Sequence, residues 1–287
     1  MIVIKGKPRD LGDGFHVSRI LPAIELRAIG PFVFFDYFGP VDFAPGKGID
    51  VRPHPHIGLA TVTYLFEGSQ MHRDTLGSAQ AIQPGDVNWM TAGRGIAHSE
   101  RTQPEVRAKG HRMHGIQSWV GLPVKDEEAE PSFQHVASKD LPTVTRDGVT
   151  LKIVTGEAFG LKSPVKVFSP IFYVDARFAP GSAFEVTAEH EQRAVFVVDG
   201  EVEVAGAAHG DGTMIVLQPG EATRVGARDG ARAMLLGGAA LDGERHLWWN
   251  FVASSKDRID RAKSDWTSGK FGKIPGDEVN FIPLPEH

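Results

Sequence analysis

Four residues stand out because their types and spacing suit the binding of a metal ion. They form two pairs, His54 with His56 and His98 with Glu100, each pair separated by a single residue. Side chains on a β-strand alternate between faces, so residues i and i+2 point the same way and can grip one ion. Two such strands facing each other make a cage of four ligands. The first pair lies in Arg52-Pro-His-Pro-His-Ile-Gly58 and the second in Gly93-Arg-Gly-Ile-Ala-His-Ser-Glu100, beside glycines that let backbone come close. A mixed nitrogen and oxygen set suits Fe(II), Mn(II), Ni(II) or Cu(II), and a chain with no cysteine has no thiolate to compete for the ion.

The segments between and around the pairs must place them. A β-rich run covers Thr61 to Phe66, with turns at Glu67-Gly68 and at Gln83-Pro-Gly-Asp86, which predicts one metal centre inside a β-barrel. Upstream, Phe15 to Leu21 and Ile24 to Ile29 read as short strands. The aromatic run Pro31 to Pro40 reads as buried core, and its Phe32 to Phe38, together with Trp89 and Met90, supply candidates for an apolar pocket. Downstream, His114 to Pro123 is another strand. The acidic, proline-bounded stretch Lys125 to Pro131 reads as a linker, giving domains of 1–128 and 129–287.

Composition narrows the function classes. The 31 basic and 36 acidic side chains give a net charge of −5 without long runs of either sign, which argues against nucleic acid or an anionic membrane as partner. Glycine (33) and proline (19) suit many short strands joined by tight turns. Met1-Ile-Val-Ile-Lys5 lacks a signal-peptide layout and no apolar run reaches the ~18 residues of a membrane helix, so the expectation is a cytoplasmic protein. Glycine clusters such as Gly237-Gly238 lack the context of a nucleotide loop.

The second half looks like a faded copy of the first. Phe196-Val-Val-Asp-Gly200 repeats the pattern of Leu65-Phe-Glu-Gly68, and Gln218-Pro-Gly-Glu221 that of Gln83-Pro-Gly-Asp86. Projecting the ligand offsets lands on Val186 and Ala188, with His190, Glu191 and Arg193 nearby but without a partner pair, so the copy is expected to be metal-free. In the tail, Ile259, Ala262 and Trp266 at helical spacing predict a short helix capped by Ser254 or Ser255 and stopped at Gly269. Trp248-Trp249 is expected to pack it against a barrel. His16, His72, His135, His209, His246 and His287 read as surface or satisfied core, and His111 and His114, three apart, point to opposite faces of a strand.

The stretches HPHIGLATVTYLFEG and WMTAGRGIAHSE, with DYFGP upstream and HGIQSWVGLP downstream, resemble the pirin family of the cupin superfamily. The resemblance implies an all-β bicupin, two jelly-roll β-barrel domains with a short C-terminal helix. It also implies a metal, usually iron, in the first barrel, with His54, His56, His98 and Glu100 as ligands. Cupins in general carry a glutamate where this chain has Ala60, so Glu100 is the expected carboxylate, and an octahedral ion would keep two open positions. The implied activity is that of a quercetin 2,3-dioxygenase, opening a flavonol ring with O2, with Glu100 taking the hydroxyl proton. The alternative is an iron-binding, redox-sensing interaction protein that regulates a partner enzyme or transcription factor. A third option is some other small organic substrate.

Overall fold

In the computed structural model, which describes residues 1–10 and 15–286, alternating patterns become antiparallel strands, and helix is confined to short segments. Contacts divide the chain into two compact units. One comprises Met1–Arg9, Ser18–Tyr37 and Lys139–Leu241; the other comprises Asp10–Val17, Phe38–Ser138 and Asp242–His287. Strand pairing explains why each unit draws on separate stretches of the chain. The N-terminal strand Ile2–Lys5 pairs with Thr213–Val216, from Ile2 opposite Val216 to Lys5 opposite Thr213, and buries Ile4. The expected linker is held fast within the second unit: Ser254 donates from its amide and hydroxyl to Glu127, and Arg258 and Arg261 both bridge Glu128 at 2.7 Å.

The unit holding Lys139–Leu241 is built on a sheet in the order Ile2–Lys5, Thr213–Val216, Gln192–Val204, Ala231–Gly238, Ile171–Phe178, Val149–Ala158, Thr143–Arg146, with shorter strands branching from it. Its interior is apolar, filled by Leu151, Ile153, Val174, Val195, Val197 and Leu235 among others. Much of the aromatic run is core here, as its composition predicts: the Phe32 ring lies 5.4 Å from that of Tyr173, and Phe35 4.9 Å from Phe196.

The unit holding Phe38–Ser138 contains two sheets. One runs Asp50–His56, Ile96–Arg101, Gln70–Asp74, Ala79–Ile82; the other runs Ser132–Val136, Val87–Thr91, Leu59–Glu67, His111–Gly121 and on to the latter part of Phe32–Phe43. Among the described residues, hydrogen bonds do not close the sheets of either unit into complete barrels. An apolar layer of Phe15, Phe38, Ile49, Leu65, Ile82 and Met113 packs within this unit. The helix Lys256–Thr267 forms as its spacing predicts: the Arg258 amide donates to the Ser255 hydroxyl, and Ile259 and Ala262 bury against Ile57 and Phe251 beside Trp248 and Trp249. Among the described residues no helix is long and apolar enough to cross a membrane.

Candidate metal centre

Strands Asp50–His56 and Ile96–Arg101 are antiparallel neighbours, with His98 directly opposite His54 and Ile96 opposite His56. Residues directly opposite share a face, and so do residues two apart, so this register puts His54, His56 and His98 together. Their rings lie 4.4 to 5.0 Å apart by centroid, and one ligand atom from each falls within 4.8 Å of the others. All three are buried, and they form the one metal-type cluster among the described residues.

Hydrogen bonds set the tautomers. The Nδ1 of His54 lies 2.8 Å from the Arg52 carbonyl oxygen, and that of His56 lies 3.0 Å from the Asn250 carbonyl oxygen. A carbonyl only accepts, so each ring carries its proton on Nδ1 and keeps a lone pair on Nε2, the atom that would ligate. The buried Nε2 of His56 has no hydrogen-bond partner among the described residues, a costly arrangement that a bound cation relieves. Burial lowers the proton affinity of all three rings, to a pKa of about 4 for His54 and well below the ordinary value for His56 and His98. Neutral imidazoles are what a metal needs, and the residues fit one.

Glu100 sits two residues beyond His98, but the pairing with Asp50–His56 shifts register between them. Glu100 is not in the cluster of three. It is buried opposite His72, and its Oε1 accepts from Gln70 Nε2 at 3.0 Å and Thr63 Oγ1 at 3.1 Å. The Thr63 hydroxyl is also 2.9 Å from Gln117 Oε1, yet it has one proton; turning the Gln117 amide so that its NH2 donates to Thr63 satisfies both contacts. Burial raises the Glu100 pKa, opposed in part by His72 and then by the Thr63 hydrogen bond.

His72, which its sequence context groups with the histidines of no special role, belongs to this site. Its Nδ1 is 3.4 Å from the Nδ1 of His98, its Nε2 is 2.9 Å from Asp74 Oδ2, and its ring stacks on Phe133 at 4.3 Å. The available signal is its i, i+2 spacing to Asp74, the same spacing as in the two candidate pairs. Trp119 sets its ring against His56, 5.1 Å away. Of the pocket candidates, Met90 lies opposite Thr61 and Phe133, whereas Trp89 lies opposite Val62 and so faces the other side of the sheet. His111 stacks on Phe43 and His114 packs on Phe66, both apart from the triad. In the other unit His190 is held by the Glu157 carbonyl and Arg193 by the carbonyls of Thr187 and Gln218. His287 lies outside the described residues.

Two cupin domains, one carrying a buried triad of histidines with a carboxylate next to it, define the class: a bicupin with a candidate metal site in its first half. The sequence matches the family model Pirin over residues 14–120 and the Pirin C-terminal cupin domain over residues 173–272, and the chain belongs to the pirin family. A pirin-like protein of Caulobacter vibrioides is 48% identical over 99% of this chain and 99% of its own length. Human pirin is 33% identical over 91% of this chain and 89% of its own. The solved structure of quercetin 2,3-dioxygenase from Acinetobacter baumannii superposes with a TM-score of 0.92 at 35% identity, covering 100% of this chain and 95% of that one.

Proposed function

We propose that this protein is a metal-dependent dioxygenase that opens the ring of a flavonol with O2, in the manner of a quercetin 2,3-dioxygenase. In this reading His54, His56, His98 and Glu100 hold one divalent ion, Fe(II) before Mn, Ni or Cu. The observation that carries it is the buried triad with His54 and His56 each tied through Nδ1 to a backbone carbonyl, which leaves Nε2 for an ion. Similarity over the whole chain to the Acinetobacter enzyme supports the substrate class.

When bound, the ion supplies a Lewis acid that favours the ionised form of the flavonol 3-hydroxyl. The protein's own residues do the rest. Glu100, made a stronger base by burial, takes the hydroxyl proton, while Thr63 and Gln70 fix the rotation of its carboxyl group. Trp119, Met90 and Phe133 offer apolar surface to a flat aromatic ring and keep water out. Iron-loaded protein should consume quercetin in air with release of carbon monoxide; consumption that continues without O2 would rule the mechanism out.

A further inference from the structure

The three clustered imidazoles are not held alike. His54 and His56 are tied to backbone carbonyls, whereas His98 faces another imidazole. Behind it stands a line of side chains: His98 Nδ1, 3.4 Å to His72 Nδ1; then His72 Nε2, 2.9 Å to Asp74 Oδ2. All three residues are buried, and Asp74 is fully so.

Asp74 is fixed at the end of this line. Its Oδ1 accepts from the backbone amides of Leu76 at 2.9 Å and Ser78 at 3.0 Å, so Oδ2 is the oxygen turned to His72. A carboxylate can only accept, so His72 donates from Nε2 to Asp74, and the tautomer with its one ring proton there presents a lone pair on Nδ1 to His98. His98 must then carry its proton on Nδ1, leaving the Nε2 lone pair for an ion. Phe133, stacked within 12° of parallel on His72, holds the ring plane in place.

We infer that His72 and Asp74 are positioning residues that select the metal-binding tautomer of His98 through this two-step chain of hydrogen bonds. The inference rests on the reading of the triad as a metal site. It makes an unusual prediction about Asp74→Asn. The Leu76 and Ser78 amides need an acceptor, so the asparagine keeps its oxygen toward them and turns its NH2 to His72. His72 then accepts on Nε2 and carries its proton on Nδ1, which forces His98 to accept on Nδ1 and hold its proton on Nε2, where a metal would bind. One nearly isosteric change inverts both tautomers, and a wrong tautomer is a severe defect in comparable buried relays.

The test is Fe(II) affinity under anaerobic conditions by chelator competition, with circular dichroism of the metal-free proteins to verify folding. Asp74→Asn should bind Fe(II) about 10- to 100-fold more weakly than the unaltered protein, the usual range for lost outer partners of a ligand. Adding His72→Phe to Asp74→Asn should restore part of that affinity, because phenylalanine keeps the stack on Phe133 and removes the misplaced proton. A merely structural role would make the double variant worse. Binding by Asp74→Asn within twofold of the unaltered protein, or a double variant no better than Asp74→Asn, overturns the relay. Failure of the unaltered protein to bind Fe(II) instead overturns the metal reading beneath it. Should Asp74→Asn not fold, ring 15N shifts of the unaltered metal-free protein decide: protonation of His98 on Nδ1 supports the relay, and protonation on Nε2 overturns it.

Discussion

His56 donates from its Nδ1 to the carbonyl oxygen of Asn250, 3.0 Å away and 194 residues further along the chain. The C-terminal segment is therefore part of the candidate metal site. The contact is kept in place by Phe251, which is fully buried and packs with Ile57, Ile259 and Ala262. Phe251→Ala should cost about 3 to 5 kcal/mol of stability through the cavity it leaves. It should also weaken metal binding by releasing the neighbouring Asn250 carbonyl that holds His56. Denaturant unfolding alongside a metal titration checks both; full metal affinity in a folded Phe251→Ala protein would mean that Asn250 holds His56 without this packing.

The triad and Glu100 should respond differently to replacement. His98→Ala removes a ring from the centre of the cluster and should abolish stoichiometric metal binding, measured by elemental analysis of the purified protein. Glu100→Gln keeps an oxygen for the contacts to Thr63 and Gln70 and leaves three imidazoles, so it should weaken metal binding less than His98→Ala does, while flavonol turnover of the metal-saturated variant falls by about 10²-fold or more, the usual loss for a general base. Metal retained by His98→Ala would overturn the ligand assignment, and full turnover by Glu100→Gln would remove the proton-accepting role.

Acid should destabilise the metal-free protein earlier than its carboxylates alone would suggest. The folded-state pKa of His54 is lowered by burial from 6.5 to about 4. As pH falls below 6.5 the unfolded chain takes up a proton at this residue that the folded chain refuses, so stability present above that pH is lost down to about pH 4. Between about pH 7 and pH 5 His54 alone should account for about 2 kcal/mol. Urea midpoints across this range should slope less for His54→Leu than for the unaltered protein; identical slopes would contradict the burial of this ring as a neutral group.

The two candidate pairs stand out in the sequence because strand alternation is a local rule: His54 with His56 and His98 with Glu100 can be placed on one face from spacing alone. What spacing cannot supply is the register, whose shift after His98 leaves Glu100 outside the tight cluster of rings. Asn250 acts through a backbone carbonyl, which every residue possesses, so nothing in its type marks it out. His72 is hidden for a different reason: a single histidine carries little signal, and its role comes from Asp74, a residue type common on any surface. The placement of Ile2–Lys5 depends on pairs such as Ile4 opposite Met214, and pairing between such distant segments leaves no local pattern. The helix Lys256–Thr267, by contrast, is marked by its own cap and apolar spacing, both local features.

Gly58 joins the strand of His54 and His56 to the next strand, Leu59–Glu67, and does so at a φ of +67°, where a Cβ would lie 2.0 Å from the carbonyl oxygen of Val252. Two costs coincide there: the left-handed backbone, worth about 1 to 2 kcal/mol for a residue other than glycine, and a collision with main chain that cannot rotate away. Gly46 offers an internal comparison, with a φ of +85° and no described atom within 4 Å of a Cβ. Gly46→Ala should therefore cost only the backbone strain, about 1 to 2 kcal/mol, and leave metal binding intact. Gly58→Ala should cost clearly more and weaken metal binding too, because the displaced Val252 lies two residues from Asn250, whose carbonyl orients His56. Thermal melts of the two variants, each with and without added metal, separate strain from collision. Equal destabilisation would show that the chain beyond Asn250 yields to Gly58→Ala without loss, and that the close approach of Val252 does not hold the site together.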